Sequence, residues 1–245
     1  ETKNSFRIMV LGDSNTAGIG IPEKDRYTEL LETELRRRLP ARQLEVINLG
    51  IQGFETVQEF KMLQYMWESV QPNLVILGFS ENDPNIHYSY YEKKKFPMPE
   101  VARGLLEHLL AFRKVELWYD PVFRMVKGLP THAQEVKVAY KQDSSDWNIF
   151  VISVRRIAAW VQEHTGSPPI VIFLADKQTA KEEGWYSQVR AVFEQNGFIW
   201  CEMIDGARYQ PVSRFEEHPN EATHQFFAQA LSQTITDRHL IPLAP

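Results

Sequence analysis

The chain has 245 residues, room for one large α/β domain, and a formal charge of −5, with no basic stripe beyond Lys93-Lys94-Lys95 to serve as a nucleic-acid footprint. Its single cysteine, Cys201, excludes an intrachain disulfide, and no run of about 18 apolar residues is available to span a bilayer. The partners expected are small molecules or neutral polymers.

Phe6–Leu11 is the first apolar, β-branched run, and it ends abruptly in Gly12-Asp13-Ser14-Asn15. Tyr27, Leu30, Leu31, Leu35 and Leu39 then fall on one helical face, and a second strand, Leu44–Leu49, runs into Gly50-Ile51-Gln52-Gly53. Thr56-Val57-Gln58-Glu59 has the pattern of a capping box opening a helix whose inner face is Val57, Phe60, Leu63, Trp67 and Val70. Leu74–Phe79 is the third strand and leads to Ser80-Glu81-Asn82-Asp83. Residues 84–145 are too long for an ordinary connection and are expected to form an inserted helical cap, with Leu105, Leu106, Leu109, Leu110 and Phe112 as its helical stripe. Its aromatic tip, Tyr88, Tyr90, Tyr91 and Phe96, either packs the cap on the body or lines a cleft.

Beyond the cap, Ile170–Ala175 and Phe198–Ile204 are the fourth and fifth strands, with a second capping-box pattern, Thr179-Ala180-Lys181-Glu182, between them. Cys201 falls in the last run and is expected to be a packed thiol. Glu216-Glu217-His218-Pro219-Asn220 precedes the final helix, whose start Pro219 is expected to mark. Strands alternating with helices imply a central parallel sheet, and no linker divides the chain, so a single domain over 1–245 is expected. The chain starts at Glu1 rather than Met, from which a removed N-terminal leader, anchor or tag is expected, and an exported or anchored location in preference to a cytoplasmic one.

The loops at the carboxyl ends of parallel strands share one edge, where α/β proteins place ligand sites. Acyl transfer needs a nucleophile, a base and oxyanion donors, and that edge supplies each. Ser14 is the candidate nucleophile, His218 the base, and the Gly53 amide, the Asn82 side chain and the Ser14 amide the donors. Asp13 and Asp83 are expected to support the loops, and Asn15 with them. His218 and His224 lack the flanking pattern of zinc ligands, so no metal or cofactor is expected.

These four blocks, Gly12-Asp13-Ser14-Asn15, Asn48 to Gly53, Glu81-Asn82-Asp83 and His218-Pro219-Asn220, resemble those of the SGNH/GDSL hydrolase family over Gly12 to about His224. The resemblance implies a three-layer α/β/α flavodoxin-like sandwich with about five parallel strands. It assigns Ser14 as nucleophile, Gly53 (with Gly50 as alternative) and Asn82 as oxyanion donors, and His218 as base. Where the family places Asp, three residues before the histidine, this chain has Phe215. Glu216 is then the acid expected beside His218, the alternatives being a Ser-His dyad, Glu217 or Asp205. The implied activity is esterase or deacylase chemistry on an O-acyl, O-acetyl among them, carbohydrate or lipid ester. Transfer of the acyl group to a sugar, or a non-catalytic binding module on the same fold, are the alternatives.

Overall fold

The computed structural model describes residues 5–85, 132–204, 206–213 and 216–242. Five parallel strands, β1 (Phe6–Gly12), β2 (Leu44–Gly50), β3 (Leu74–Phe79), β4 (Ile170–Phe173) and β5 (Ile199–Cys201), form one sheet in the order β2-β1-β3-β4-β5. The helices are α1 (Ser14–Ala17), α2 (Tyr27–Arg38), α3 (Thr56–Val70), α4 (His132–Ala139), α5 (Ser145–Thr165), α6 (Lys177–Glu182), α7 (Tyr186–Gln195) and α8 (Glu221–Asp237). A separate antiparallel pair, β6 (Pro211–Ser213) and β7 (Glu216–Pro219), precedes α8. This is the α/β/α flavodoxin-like arrangement. Its chain reverses direction across the sheet at β1, and the crevice between the ends of β1 and β3 is the place for a ligand.

Each central strand is buried on both faces, which is why the sequence shows continuous apolar runs rather than alternation. Successive residues still sort to opposite sides: Met9 and Leu11, Val75, Leu77 and Phe79, and Val171 and Phe173 join a core with α3, α5 and α7. Ile8 and Val10, Leu74 and Ile76, and Ile170 and Ile172 join a core with α2 and α8. The first core is aromatic: Phe79 lies 5.6 to 5.9 Å, centroid to centroid, from Phe150, Phe173 and Phe193.

Helix starts depart from the sequence expectations. Glu55 caps α3, and the reciprocal partner is Gln58, whose Oε1 accepts the Glu55 N–H at 2.9 Å; the box sits one residue earlier than Thr56/Glu59. Asp176 caps α6, accepting from the Gln178 amide at 3.2 Å, so Thr179 lies inside the helix. Pro219 ends β7, and Asn220 caps α8 by accepting the Thr223 amide at 3.1 Å. For α3 and α6 an acidic side chain one to three residues upstream reaches the orphan amides first, whereas for α8 Asn220, one residue downstream of Pro219, does so.

Most of the expected cap, including Tyr88, Tyr90, Tyr91, Phe96 and the stripe from Leu105 to Phe112, lies outside the described residues. Its end at 132–145 belongs to the body, since Val136 and Tyr140 are buried in the α3/α5/α7 core. Cys201 is buried, its thiol pushed up to about 12 by burial. Among the described residues no helix is long and apolar enough to cross a membrane.

Three adjacent strands carry glycine at one register near their ends: Gly12 pairs with Gly50 on one side and Gly78 on the other. Thr16 of α1, fully buried, sits on this row. A Cβ on Gly12 would lie 2.0 Å from Thr16 Oγ1, one on Gly78 2.3 Å from the same atom, and one on Gly50 2.4 Å from the Ala17 backbone nitrogen. Gly78→Ala and Gly50→Ala are each expected to cost about 1 to 3 kcal/mol in urea unfolding. In a Thr16→Ala background part of the Gly78→Ala penalty should vanish, because the obstacles that remain are side-chain ends, Leu174 Cδ1 at 2.8 Å and the Tyr27 hydroxyl at 3.0 Å. The Gly50→Ala penalty should persist, because its obstacle is backbone.

Candidate active site

The chain leaves β1 at Gly12 and turns at once into α1, with Asp13 as its cap. Asp13 Oδ1 accepts the Asn15 amide at 2.9 Å and the Ser80 hydroxyl at 2.9 Å, and Asn15 Nδ2 donates to Ser80 Oγ at 2.8 Å. These bonds join the end of β1 to the end of β3 and leave Ser14 half-buried at the first position of α1. Gly18, at φ 71°, ends the helix in the left-handed conformation glycine adopts without penalty. Asn48 holds α1 from below, donating to the Thr16 carbonyl at 2.8 Å and to Thr28 Oγ1 at 2.9 Å.

The loop after β2 is tied to β1 by the Ile51 amide donating to the Gly12 carbonyl at 3.0 Å. A turn then closes with the Phe54 amide on the Ile51 carbonyl at 3.1 Å, and its third residue, Gly53, has φ 76°. Asn82 donates through Nδ2 to the Phe54 carbonyl at 3.2 Å, which brings its amide beside the Gly53 turn. Gly50, by contrast, lies in β2 beneath α1. Asp83 shapes the loop carrying Asn82: its Oδ2 accepts the Ser80 amide at 2.8 Å, while the Asn85 amide reaches the Asn82 carbonyl at 2.8 Å.

His218 and Glu216 are two apart on β7 and so share a face. Glu216 Oε1 contacts His218 Nδ1 directly. Glu217, one residue out of phase, is exposed, and its carbonyl accepts from the Tyr209 hydroxyl at 2.7 Å. Phe215 and Asp205 lie outside the described residues. The hairpin is anchored to α8 by Thr223 Oγ1, which accepts from the Gln210 amide at 2.8 Å and donates to the Gln210 carbonyl at 3.0 Å. β7 packs against α1. Ser14, Gly53, Asn82, His218 and Glu216 thus come from four separate segments to the carboxyl edge of the sheet.

The model of one family, described as GDSL-like Lipase/Acylhydrolase, matches residues 8–231. The chain belongs to this family. It is therefore a carboxylic ester hydrolase of the GDSL type. Its structure is similar to the psychrotrophic esterase EstA from Pseudoalteromonas sp., a structure inhibited by monoethylphosphonate, at 12% identity and TM-score 0.56 over 95% of this chain and 98% of that one. It is similar also to Axe2, an acetyl-xylooligosaccharide esterase from Geobacillus, at 14% identity and TM-score 0.54 over 96% of each chain. A third similar structure is CEX, a two-domain esterase active on acetylated mannans, at 14% identity and TM-score 0.55 over 98% of this chain and 51% of that one. At such identities the likeness is one of fold. No curated protein sequence matches the chain.

Two features of this GDSL hydrolase are invisible in its motifs. His224 is fully buried, its Nδ1 accepting the Tyr27 amide at 3.0 Å, and burial pushes its pKa down to about 4. His87 and His108 lie outside the described residues. The second feature is a group of buried carboxyls beneath the site: Asp13, Asp83 and Glu59 are each at most 2% exposed. Burial raises all three; for Asp13 the Asn15 amide and Ser80 hydroxyl oppose it, whereas Asp83 and Glu59 are driven well above the usual carboxylate range. Glu59, on α3, has no hydrogen-bond partner among the described residues at either oxygen, and the charges of Asp13 and Glu55 add to its burial. Its surroundings favour the neutral acid.

The sign of the pH effect follows. Below the unfolded carboxyl pKa of about 4.3 both states carry the proton, whereas above it the unfolded chain ionises and Glu59 in the fold does not, so stability falls as pH rises. Glu59→Gln, a mimic of the neutral acid, is expected to raise the melting temperature at pH 8 and to leave it nearly unchanged at pH 4. Equal effects at both values would show that Glu59 is not held neutral.

Proposed function

We propose that the protein is a serine esterase that hydrolyses an O-acyl ester through an acyl-enzyme on Ser14. His218 takes the Ser14 hydroxyl proton as Oγ attacks the ester carbonyl, and Glu216 orients the imidazole and stabilises its charge. The Asn82 side chain and the backbone amides of Gly53 and Ser14 receive the oxyanion. On collapse the C–O bond to the alcohol breaks, His218 passes its proton to the leaving oxygen, and the acyl group stays on Ser14. Water, deprotonated by His218, then attacks the acyl carbonyl, releasing the carboxylic acid and restoring the serine. The observation that supports this reading most is the contact of Glu216 with His218 Nδ1 on a strand packed against α1. That contact gives the base an orienting acid although position 215 is phenylalanine.

Short acyl groups on carbohydrate are the substrate class we place first, since two of the similar structures act on acetylated mannans and acetyl-xylooligosaccharides. Turnover of p-nitrophenyl acetate should exceed that of longer-chain homologues and be abolished in Ser14→Ala. Asn82→Ala is expected to lose roughly 10²- to 10³-fold in kcat, the usual cost of one oxyanion donor. Glu216→Gln should lose about 10²-fold, less than a fully buried acid does, because water reaches the partly exposed site and replaces part of its interaction. Wild-type turnover by Ser14→Ala, or failure of an alkyl phosphonate ester to add one covalent mass at Ser14, would refute the acyl-enzyme.

A further inference from the structure

The Asn82 donor is held by more than its own loop. The chain returns from the long connection after β3 along α4, and the residue following that helix, Tyr140, is 7% exposed. Its ring stacks on Trp185 at 4.6 Å and 21°, and its hydroxyl donates to the Glu81 carbonyl at 2.9 Å. That carbonyl belongs to the peptide unit joining Glu81 to Asn82, so the bond fixes the plane from which the Asn82 Cα projects. Other bonds of the loop, from Asp83, Asn85 and Asn82 itself, tie it to Ser80, to its own backbone and to Phe54. Tyr140 is held from the other side, its own carbonyl accepting from Gln188 Nε2 on α7 at 2.9 Å. Burial and the neighbouring Asp83 and Glu81 carboxyls keep the phenolic proton in place, so the hydroxyl remains a donor at any working pH.

We propose that Tyr140 is a positioning residue for the oxyanion donor: by fixing the Glu81–Asn82 peptide it aims the Asn82 amide at the developing negative charge. The role rests on the serine-esterase reading. It places the outer α4/α7 layer in mechanical contact with the oxyanion hole, and it accounts for a buried tyrosine hydroxyl spent on a loop carbonyl. Oxyanion donors act by preorganisation, so a few tenths of an ångström of added freedom at Asn82 lowers turnover without altering substrate binding.

The test is a double-mutant cycle on the full chain with p-nitrophenyl acetate. Tyr140→Phe keeps the stacked ring and deletes the hydroxyl; kcat is expected to fall about tenfold with KM within about twofold. In an Asn82→Ala background the same change should cost less than about twofold, because the donor it aims is gone. Gln188→Ala, which leaves the hydroxyl in place but frees its support, should give a smaller loss with the same dependence on Asn82. Equal losses in the two backgrounds would make Tyr140 merely structural and overturn the proposal, as would wild-type kcat in both Tyr140→Phe and Gln188→Ala. Wild-type turnover that survives Ser14→Ala removes the esterase reading and this role with it, whereas Ser14-dependent turnover indifferent to Tyr140 and Gln188 removes this role alone.

Discussion

Everything at the active edge depends on how closely α1 can approach the sheet. A helix that starts two residues after a buried strand has no loop to absorb misfit, so its side chains must be seated in the strand ends themselves. Gly12, Gly50 and Gly78 make that possible by removing Cβ from one row of three adjacent strands, and Thr16 fills the space, its Oγ1 2.9 Å from the Tyr27 hydroxyl. The position of Ser14, two residues earlier, is therefore fixed by packing on the opposite side of its own helical turn.

A second layer of constraint is polar. Asp13, Asn15 and Ser80 form a closed set of bonds between the ends of β1 and β3, and Asp83 and the Phe54 carbonyl extend it to the oxyanion loop and the loop after β2. Buried polar groups of this kind rigidify a site only when satisfied, and for Glu59, buried beside them, burial favours the neutral form. The base arrives from the other end of the chain on a two-stranded hairpin that owes its place to Thr223 and α8, and His224, one residue further on, ties α8 to α2 through the Tyr27 amide. The nucleophile's helix and the base's hairpin thus lean on the same tyrosine neighbourhood, one through Thr16 and the other through α8.

The proposed base, His218, illustrates how a substitution in a motif can be absorbed. A β-strand projects alternate residues to one face, so an acid two positions before the histidine meets its ring, and Glu216 does so on β7 with the longer side chain spanning the gap. The proposed acid, Glu216, thus stands one residue from the position where the family places Asp.

Much of this was legible in the residues alone. Continuous apolar runs identify strands buried on both faces, and their abrupt ends at Gly-Asp-Ser, at the glycines after Asn48 and at Glu-Asn-Asp mark one edge, where residue types carry the chemistry proposed for Ser14, Asn82 and His218. The hairpin β6–β7 was not legible, because strands of three and four residues, one Pro-Val-Ser and the other Glu-Glu-His-Pro, lack the apolar pattern by which strands are recognised. Nor were the helix caps: Glu55, Asp176 and Asn220 compete with equally suitable neighbours, and only the path of the backbone chooses among them. The burial of Glu59 and His224 and the reach of Tyr140 to the Glu81 carbonyl lay beyond the sequence for the same reason. A local pattern records what each residue prefers, whereas solvent exclusion and contacts across more than fifty residues exist only once the layers have closed on one another.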